Sequence, residues 1–377
     1  MRVGNQDILL PVTMVGNYPE PRWFRGTGKY PGTPSRFVFD SIEQEALYDC
    51  ISCIVDDQER AGFDIIADGR VFGGSDSYGQ LLYHYMERSS GFVMNGPQIP
   101  VPIYSSLYAP TCIGEINRVY PYHVETLKAV RRATNKPIKI SYTGVGAMTA
   151  ATNNQHYKDI KELAAAYAKA LNEDMKELAD IGVDIIQLDE FVWPYGMGDW
   201  EIEALNATVK GVDAQIWVHT CWGNYGGTPA YVSYEGDAGH VEGGIYSIDK
   251  RPKGVSTTPQ RSASIFPKVL EADIDVLNFE IGRVGPDDLK PLLDNNWTKP
   301  FVAGVIDVKS LITESADEVA EKIRLCLEYI PIERLGVTTD CGLPNLPRMI
   351  AQNKLQALAD GAAIVREEHL AKSAANA

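Results

Sequence analysis

Short apolar runs alternate with longer amphipathic stretches along most of the chain. Eight of these runs have the length and β-branched content of buried strands: Leu9–Val15, Asp64–Ala67, Ile138–Tyr142, Asp184–Leu188, Gln215–His219, Asp275–Phe279, Phe301–Val305 and Arg334–Thr338. Helical periodicity lies between most of them, over Ser41–Arg60, Tyr157–Ile181, Ala263–Glu271, Glu314–Tyr329 and Pro347–Glu367. Strands that alternate with helices pair in parallel, and eight such units predict an α/β fold, the (β/α)8 TIM barrel. The strand runs read as apolar throughout, as expected where both faces are covered. Two stretches break the rhythm, 70–136 and 222–262, the first with room for one or two extra strands at Gly91–Met94 and Gln98–Ile103. Loops of that length are functional or serve oligomer contacts. The expectation is a single barrel over residues 1–377 with elaborated loops, which self-associates.

Composition narrows the function. The 35 basic and 50 acidic residues leave a net charge of −15, which argues against nucleic acid and anionic membranes as partners. The N-terminus has no apolar signal core, and no run of 18 apolar residues occurs, so a cytoplasmic protein is expected. Six cysteines in 377 residues are no disulfide scaffold. Cys50-Ile51-Ser52-Cys53 sits within a helical pattern and reads as buried small hydrophobes, as do Cys112 and Cys326. His84, His123, His156, His240 and His369 have no matching partners and read as ordinary polar residues. Gly144-x-Gly146 lacks the third glycine of a dinucleotide loop.

Barrel active sites lie at the C-terminal ends of the strands. There the chain places Asp68-Gly69-Arg70, Asp189-Glu190, His219-Thr220-Cys221, Glu280 and Asp340-Cys341-Gly342. Imidazole, thiolate and carboxylate are all zinc ligands, and a tetrahedral site takes four. The spacing His219-x-Cys221 puts both side chains on one face of a strand.

These motifs resemble the catalytic C-terminal barrel of cobalamin-independent methionine synthase and its relatives. The likeness runs through Thr13-Met14-Val15-Gly16-Asn17-Tyr18-Pro19, Gly62-Phe63-Asp64-Ile65-Ile66-Ala67-Asp68-Gly69 and Ile186-Gln187-Leu188-Asp189-Glu190. It continues through His219-Thr220-Cys221, Asp275–Glu280 and Asp340-Cys341-Gly342-Leu343, covering nearly the whole chain. The resemblance implies that His219, Cys221, Glu280 and Cys341 hold Zn2+, which activates a thiol substrate for alkylation. A free thiol is only a few per cent thiolate at neutral pH, and zinc coordination deprotonates it. An exchangeable ligand position is needed, with Glu280 the ligand expected to yield.

The chain departs from that family at one position. Methionine synthases carry a glutamate where this chain has Arg70, and the carboxylate helps hold the ammonium of homocysteine. A guanidinium repels an ammonium and favours an anion. Within the family, the chain's size and its His-x-Cys…Cys pattern resemble the enzymes that join coenzyme M, 2-mercaptoethanesulfonate, to small epoxides. That resemblance implies Arg70 on the sulfonate, with Arg22 or Lys29 in support. Asp68 and Glu190 share the substrate rim, as binding residues or as ion-pair partners of Arg70. Asp189, Tyr142 and Tyr225 are the candidates for proton donor to the opening alkoxide. Trp23, Tyr18, Tyr78, Trp193, Tyr195 and Trp222 are candidates to wall an apolar epoxide pocket, and the cluster Lys250–Lys253 is a loop tip or a lid. Homocysteine methylation from methyltetrahydrofolate or a methyl-corrinoid is the alternative activity, as is methylation of coenzyme M by methylcobalamin.

Overall fold

The computed structural model describes residues 1–25, 41–71, 77–93, 96, 98–101, 105–108, 110–195, 197–220, 261–282 and 285–375. Seven of the expected strands form one parallel sheet. They are β1 (Ile66–Ala67), β2 (Ile138–Thr143), β3 (Ile185–Asp189), β4 (Gln215–Thr220), β5 (Val276–Glu280), β6 (Phe301–Ile306) and β7 (Leu335–Thr339), neighbours in chain order. The eighth segment, Leu9–Val15, is not a regular strand, because Pro11 has no N–H for a ladder. It still closes the cylinder. On one side Val337 N donates to Pro11 O at 2.9 Å and Thr13 N to Val337 O at 3.1 Å. On the other, Asp64 N and Ile65 N donate to Val12 O at 3.1 and 3.2 Å. Both sheet edges are therefore used and the sheet is a barrel.

A repeated local device sets the strands. A helix ends, Gly62 (φ +86°) or Gly182 (φ +87°) turns the chain, and an aspartate stands just before the next strand. Asp64 Oδ2 accepts from Val12 N at 2.9 Å, Asp184 Oδ2 from Ile138 N at 2.8 Å, and Asp275 Oδ2 from Ile216 N at 2.7 Å. Each carboxylate satisfies an amide at the start of a neighbouring chain segment and so holds register at the barrel floor. Helices Ser41–Ala61, Ile160–Asp180, Ala316–Leu327 and Arg348–Ala375 fall close to the expected spans. Ala263–Glu271 does not form a helix. Two short 3-10 turns, Arg261–Ser264 and Lys268–Glu271, flank Pro267, which has no N–H and breaks the helical ladder. The first insertion holds four short strands among the described residues, Phe92–Val93, Gln98–Val101, Ser105–Tyr108 and Thr111–Cys112, where one or two were expected. Among the described residues no helix is long and apolar enough to cross a membrane.

Two apolar layers follow from the two-residue strand period. Ile140, Leu188, Val218 and Phe279 face outward into one cluster with the helices. Ile65, Ile185, Trp217, Val276 and Val302 face inward and meet Met1 and Val3 of a small N-terminal hairpin, forming the barrel floor. Above that floor the inner face becomes polar. Lys139, Ser141, Gln187, Asp189, His219, Asn278 and Glu280 are all buried there. The reading of the strands as apolar on both faces is thus corrected, because their upper inner face lines a site rather than a core.

Candidate active site

The chain leaves β1 in a sharp turn, with Gly69 at φ +73° and Arg70 at φ +51°. A non-glycine residue held in the left-handed region costs on the order of 1–3 kcal/mol, so the surroundings must hold Arg70 there. Glycine is required at 69, since a Cβ would stand 2.8 Å from Ile54 Cγ2. The turn carries Arg70 across the barrel mouth over Gly16, where a Cβ would lie 3.5 Å from its Cδ. Arg70 Nη1 pairs with Asp189 Oδ2 at 2.9 Å, with both side chains buried. Asp189 Oδ1 accepts from Gln187 Nε2 at 2.8 Å. Asp68 lies fully buried beside them, and burial pushes its carboxyl up to about 6 against the pull of Arg70. Its oxygens approach the backbone amides of Ser141 and Arg70 without completing a well-formed bond.

Glu190 does not join this group. Its carboxylate turns away to accept from Gly146 N at 3.0 Å and Ala147 N at 3.2 Å, the opening amides of helix Val145–Ala150. Burial pushes it up to about 8. Gly144 makes the room, since a Cβ there would fall 2.2 Å from Glu190 Cδ. The Gly144-x-Gly146 pair thus seats the protein's own carboxylate. Neither Arg70 nor the cavity of the barrel mouth receives Glu190, contrary to its assignment to the substrate rim.

Tyr142 is also placed elsewhere. Lys139 and Ser141 occupy the inner face of β2, so Tyr142 faces the helices, where its hydroxyl donates to Asp174 Oδ2 at 2.5 Å. The same carboxylate pairs with Arg118 at 2.6 Å and accepts from Tyr122 N at 2.7 Å. Tyr142→Phe is expected to cost roughly 1–3 kcal/mol of stability through the buried carboxylate it leaves short of a donor. Turnover should change little. Denaturant midpoints and steady-state rates measured together check this, and a tenfold fall in kcat at intact stability would contradict it.

Two of the side chains expected to ligate metal, His219 and Cys341, line the same cavity as Arg70. His219 Nδ1 lies 3.2 Å from Asn278 Oδ1, and its Nε2 is buried with no hydrogen-bond partner among the described residues. An amide oxygen can only accept, so Nδ1 carries the proton and Nε2 presents a lone pair. Cys341 shares one cavity with His219, Arg70 and Asp189. Thr339 Oγ1 donates to Cys341 O at 2.8 Å and accepts from Val15 N at 3.2 Å, fixing the backbone that carries the thiol. Glu280 is fully buried nearby, and Oε2 accepts from Lys309 Nζ at 3.0 Å. The same ammonium pairs with Asp340 Oδ2 at 2.8 Å. Burial, with Asp340 beside it, pushes the Glu280 carboxyl above the usual carboxylate range, while the two carboxylates raise Lys309. Glu280 and Asp340 approach because Gly304 separates their strands. A Cβ at 304 would fall 2.6 Å from Asp340 Cα and 3.1 Å from Glu280 Cα.

Cys221 and Tyr225 lie outside the described residues, as do Lys29, Trp222 and the cluster 250–253. Among the described residues no three of His, Cys, Asp and Glu converge as a complete metal cluster. Arg22 is exposed. The apolar walls of the cavity are Val15, Leu81 and Phe191. Among the described residues none of the aromatic set expected for that wall lines it; Tyr18 and Trp193 are buried and Trp23 is half exposed. His84 and His123, read as ordinary polar residues without matching partners, are partners of each other. Both are buried and stacked at 5.1 Å, with Nε2 bonded to Tyr122 O at 2.7 Å and to Tyr85 Oη at 3.0 Å. Burial holds both imidazoles well below the usual range. Three residues of the site escaped the sequence reading: Lys139, Asn278 and Lys309. A lysine or asparagine inside an apolar strand run was the available signal for the first two.

Comparison with known proteins identifies the family. The family model described as the catalytic domain of cobalamin-independent synthase matches residues 10–228 and 258–363. The unmatched residues 229–257 fall inside the second long insertion. The 2-hydroxypropyl-CoM lyase of Xanthobacter autotrophicus is 49% identical, with 99% of each chain covered. A methionine synthase of Saccharolobus solfataricus is 30% identical over 96% of each chain. Among solved structures, a B12-independent methionine synthase from Shewanella sp. W3-18-1 in complex with selenomethionine superposes with a TM-score of 0.78. It is 28% identical, and the match covers 97% of this chain and all of that one. The barrel, the strand-end residues and these matches together make the chain a member of the cobalamin-independent synthase family, by its catalytic domain.

Proposed function

We propose that the protein joins coenzyme M to a small aliphatic epoxide to give a 2-hydroxyalkyl thioether, the 2-hydroxypropyl-CoM lyase type of activity. The observation that carries this reading is Arg70, a buried guanidinium that lines the same cavity as His219 and Cys341. It offers a sulfonate charge-assisted hydrogen bonds and repels the ammonium of an amino-acid thiol. The 49% identity to a protein named for that substrate supports it.

The residues present fit zinc. His219 offers a buried, unbonded Nε2, and Cys341 faces the same cavity. Cys221, by its spacing, and Glu280 complete the donor set expected for this metal. Zinc bound there would supply a thiolate at neutral pH. Asn278 holds the His219 ring, and Lys309 competes for the Glu280 carboxylate, which suits a ligand that yields to substrate. Arg70 then fixes the far end of the thiol, and Val15, Leu81 and Phe191 give an epoxide an apolar surface that excludes water. The sulfur–carbon bond forms as the carbon–oxygen bond breaks, and the proton lost by the thiol balances the one gained by the alkoxide. Asp189 accepts hydrogen bonds on both oxygens, so its part is to anchor Arg70.

Homocysteine methylation has the 30% relatives behind it, and Arg70 weighs against it. The test supplies zinc-loaded protein with coenzyme M or homocysteine, each with epoxypropane or a methyl donor. A hydroxypropyl thioether of coenzyme M is expected by mass spectrometry. No coenzyme M product with any epoxide would sink the proposal.

A further inference from the structure

We propose that Lys139 and Gln187 are positioning residues for the anionic head of the thiol, acting through Asp189 on Arg70. The inference rests on the coenzyme M reading given above. Lys139 stands on the inner face of β2 and is fully buried. It does not line the cavity of the barrel mouth. Its Nζ donates to Met14 O at 2.6 Å and to Gln187 Oε1 at 2.7 Å, and lies 5.4 Å from the Trp217 ring centre.

An ammonium can only donate, so Gln187 must turn its oxygen toward Lys139. The amide nitrogen then points the other way. It donates to Val15 O at 2.7 Å and to Asp189 Oδ1 at 2.8 Å. With that oxygen engaged, Asp189 presents Oδ2 to Arg70 Nη1 at 2.9 Å. Each link leaves the next one orientation. A flipped Gln187 would set its carbonyl against the Asp189 carboxylate and its NH2 against the Lys139 ammonium, both repulsive. Lys139 therefore decides the polarity of the whole chain of contacts. A buried ammonium is a costly way to fill space, and burial lowers this one to about 7 against the pull of Asp189 and Asp68. A methionine would fill the same volume without that cost.

The test compares two thiols, coenzyme M and 2-mercaptoethanol, which lacks the sulfonate, with the same epoxide and zinc-loaded protein. The variants are Lys139→Met, Gln187→Leu, Asp189→Asn and the double variant Lys139→Met/Asp189→Asn. Lys139→Met is expected to lower the ratio of kcat/KM for coenzyme M over 2-mercaptoethanol about tenfold, mostly through KM, as loss of one charged hydrogen bond in the chain implies. Gln187→Leu cuts the same chain while keeping the lysine and should move the ratio alike, so either variant decides if the other fails to fold. In the Asp189→Asn background Lys139→Met should have no further effect on the ratio. Equal losses with both thiols, or single-variant effects that multiply in the double variant, would overturn the inference while leaving the functional reading intact. A wild-type protein with no preference for the sulfonate would overturn the functional reading, and the head-group role with it.

Discussion

Arg70→Glu is expected to lower kcat/KM for coenzyme M by roughly two to three orders of magnitude. A charged hydrogen bond is worth about 1.5–3 kcal/mol, and charge reversal replaces attraction with repulsion. The substitution also faces Asp189 with a second carboxylate where a guanidinium now stands at 2.9 Å. Removing one partner of a buried pair costs about 3–5 kcal/mol, so folding must be measured alongside activity. Arg70→Gln separates the two effects, because it drops the charge without adding a like one. Both variants should keep their zinc, since Arg70 approaches the metal-ligating residues only across the cavity. The decisive measurement is the ratio of rates with coenzyme M and with 2-mercaptoethanol, alongside metal content. A parallel loss of zinc and of activity with both thiols would make Arg70 a structural residue and remove the main argument for a sulfonate substrate.

Chelating the metal, or replacing His219 or Cys341 by alanine, is expected to lower turnover by at least roughly a hundredfold. Ionisation alone accounts for a factor of about thirty, because a free thiol of pKa about 8.5 is only a few per cent thiolate at neutral pH. Loss of a fixed sulfur position adds to it. Activity of the chelated wild type should return with added zinc, whereas the His219 variant should not recover at the same concentration. Asn278→Leu gives a graded test that does not depend on turnover. Its amide oxygen sits 3.2 Å from His219 Nδ1, and losing such an outer contact weakens metal binding by about 10–100-fold. Competition against a chromogenic chelator reads this directly. Unchanged zinc affinity in Asn278→Leu would mean that His219 is oriented by something else. Sulfur K-edge and zinc-edge absorption with and without thiol would show whether a ligand is exchanged, and no added sulfur would count against a yielding Glu280.

Much of the architecture was legible because barrel strands announce themselves as short apolar runs and carry their chemistry where those runs end. Asp68, Arg70, Asp189, His219, Glu280 and Cys341 were singled out in that way, and all six are buried at or just past the strand ends. What escaped depends on a resolution of one residue. Asp189 and Glu190 are adjacent, yet the two-residue strand period sends one to Arg70 and the other to the amides of Gly146 and Ala147. Tyr142 follows the same rule, one position from the inner face marked by Lys139 and Ser141. The irregular eighth strand turns on Pro11, and the expected helix at Ala263–Glu271 fails on Pro267. The aim of Arg70 depends on a left-handed backbone that no hydrophobic pattern encodes. Lys139, Asn278 and Lys309 touch other residues of the site, and only a polar type inside an apolar strand run marked the first two.

Gly304 limits how far this pocket can be redesigned. Strands β5 and β7 lie against β6 so closely that a methyl group at 304 would meet Asp340 Cα at 2.6 Å. The width of the ligand-bearing wall is thus set by bare backbone, with no side chain left to trim. Mutational libraries aimed at larger epoxides have freedom at Val15, Leu81 and Phe191, where shortening a side chain adds volume. On the side of Glu280 and Cys341 the same libraries meet a wall of fixed thickness, and every substitution at 304 can only spread it.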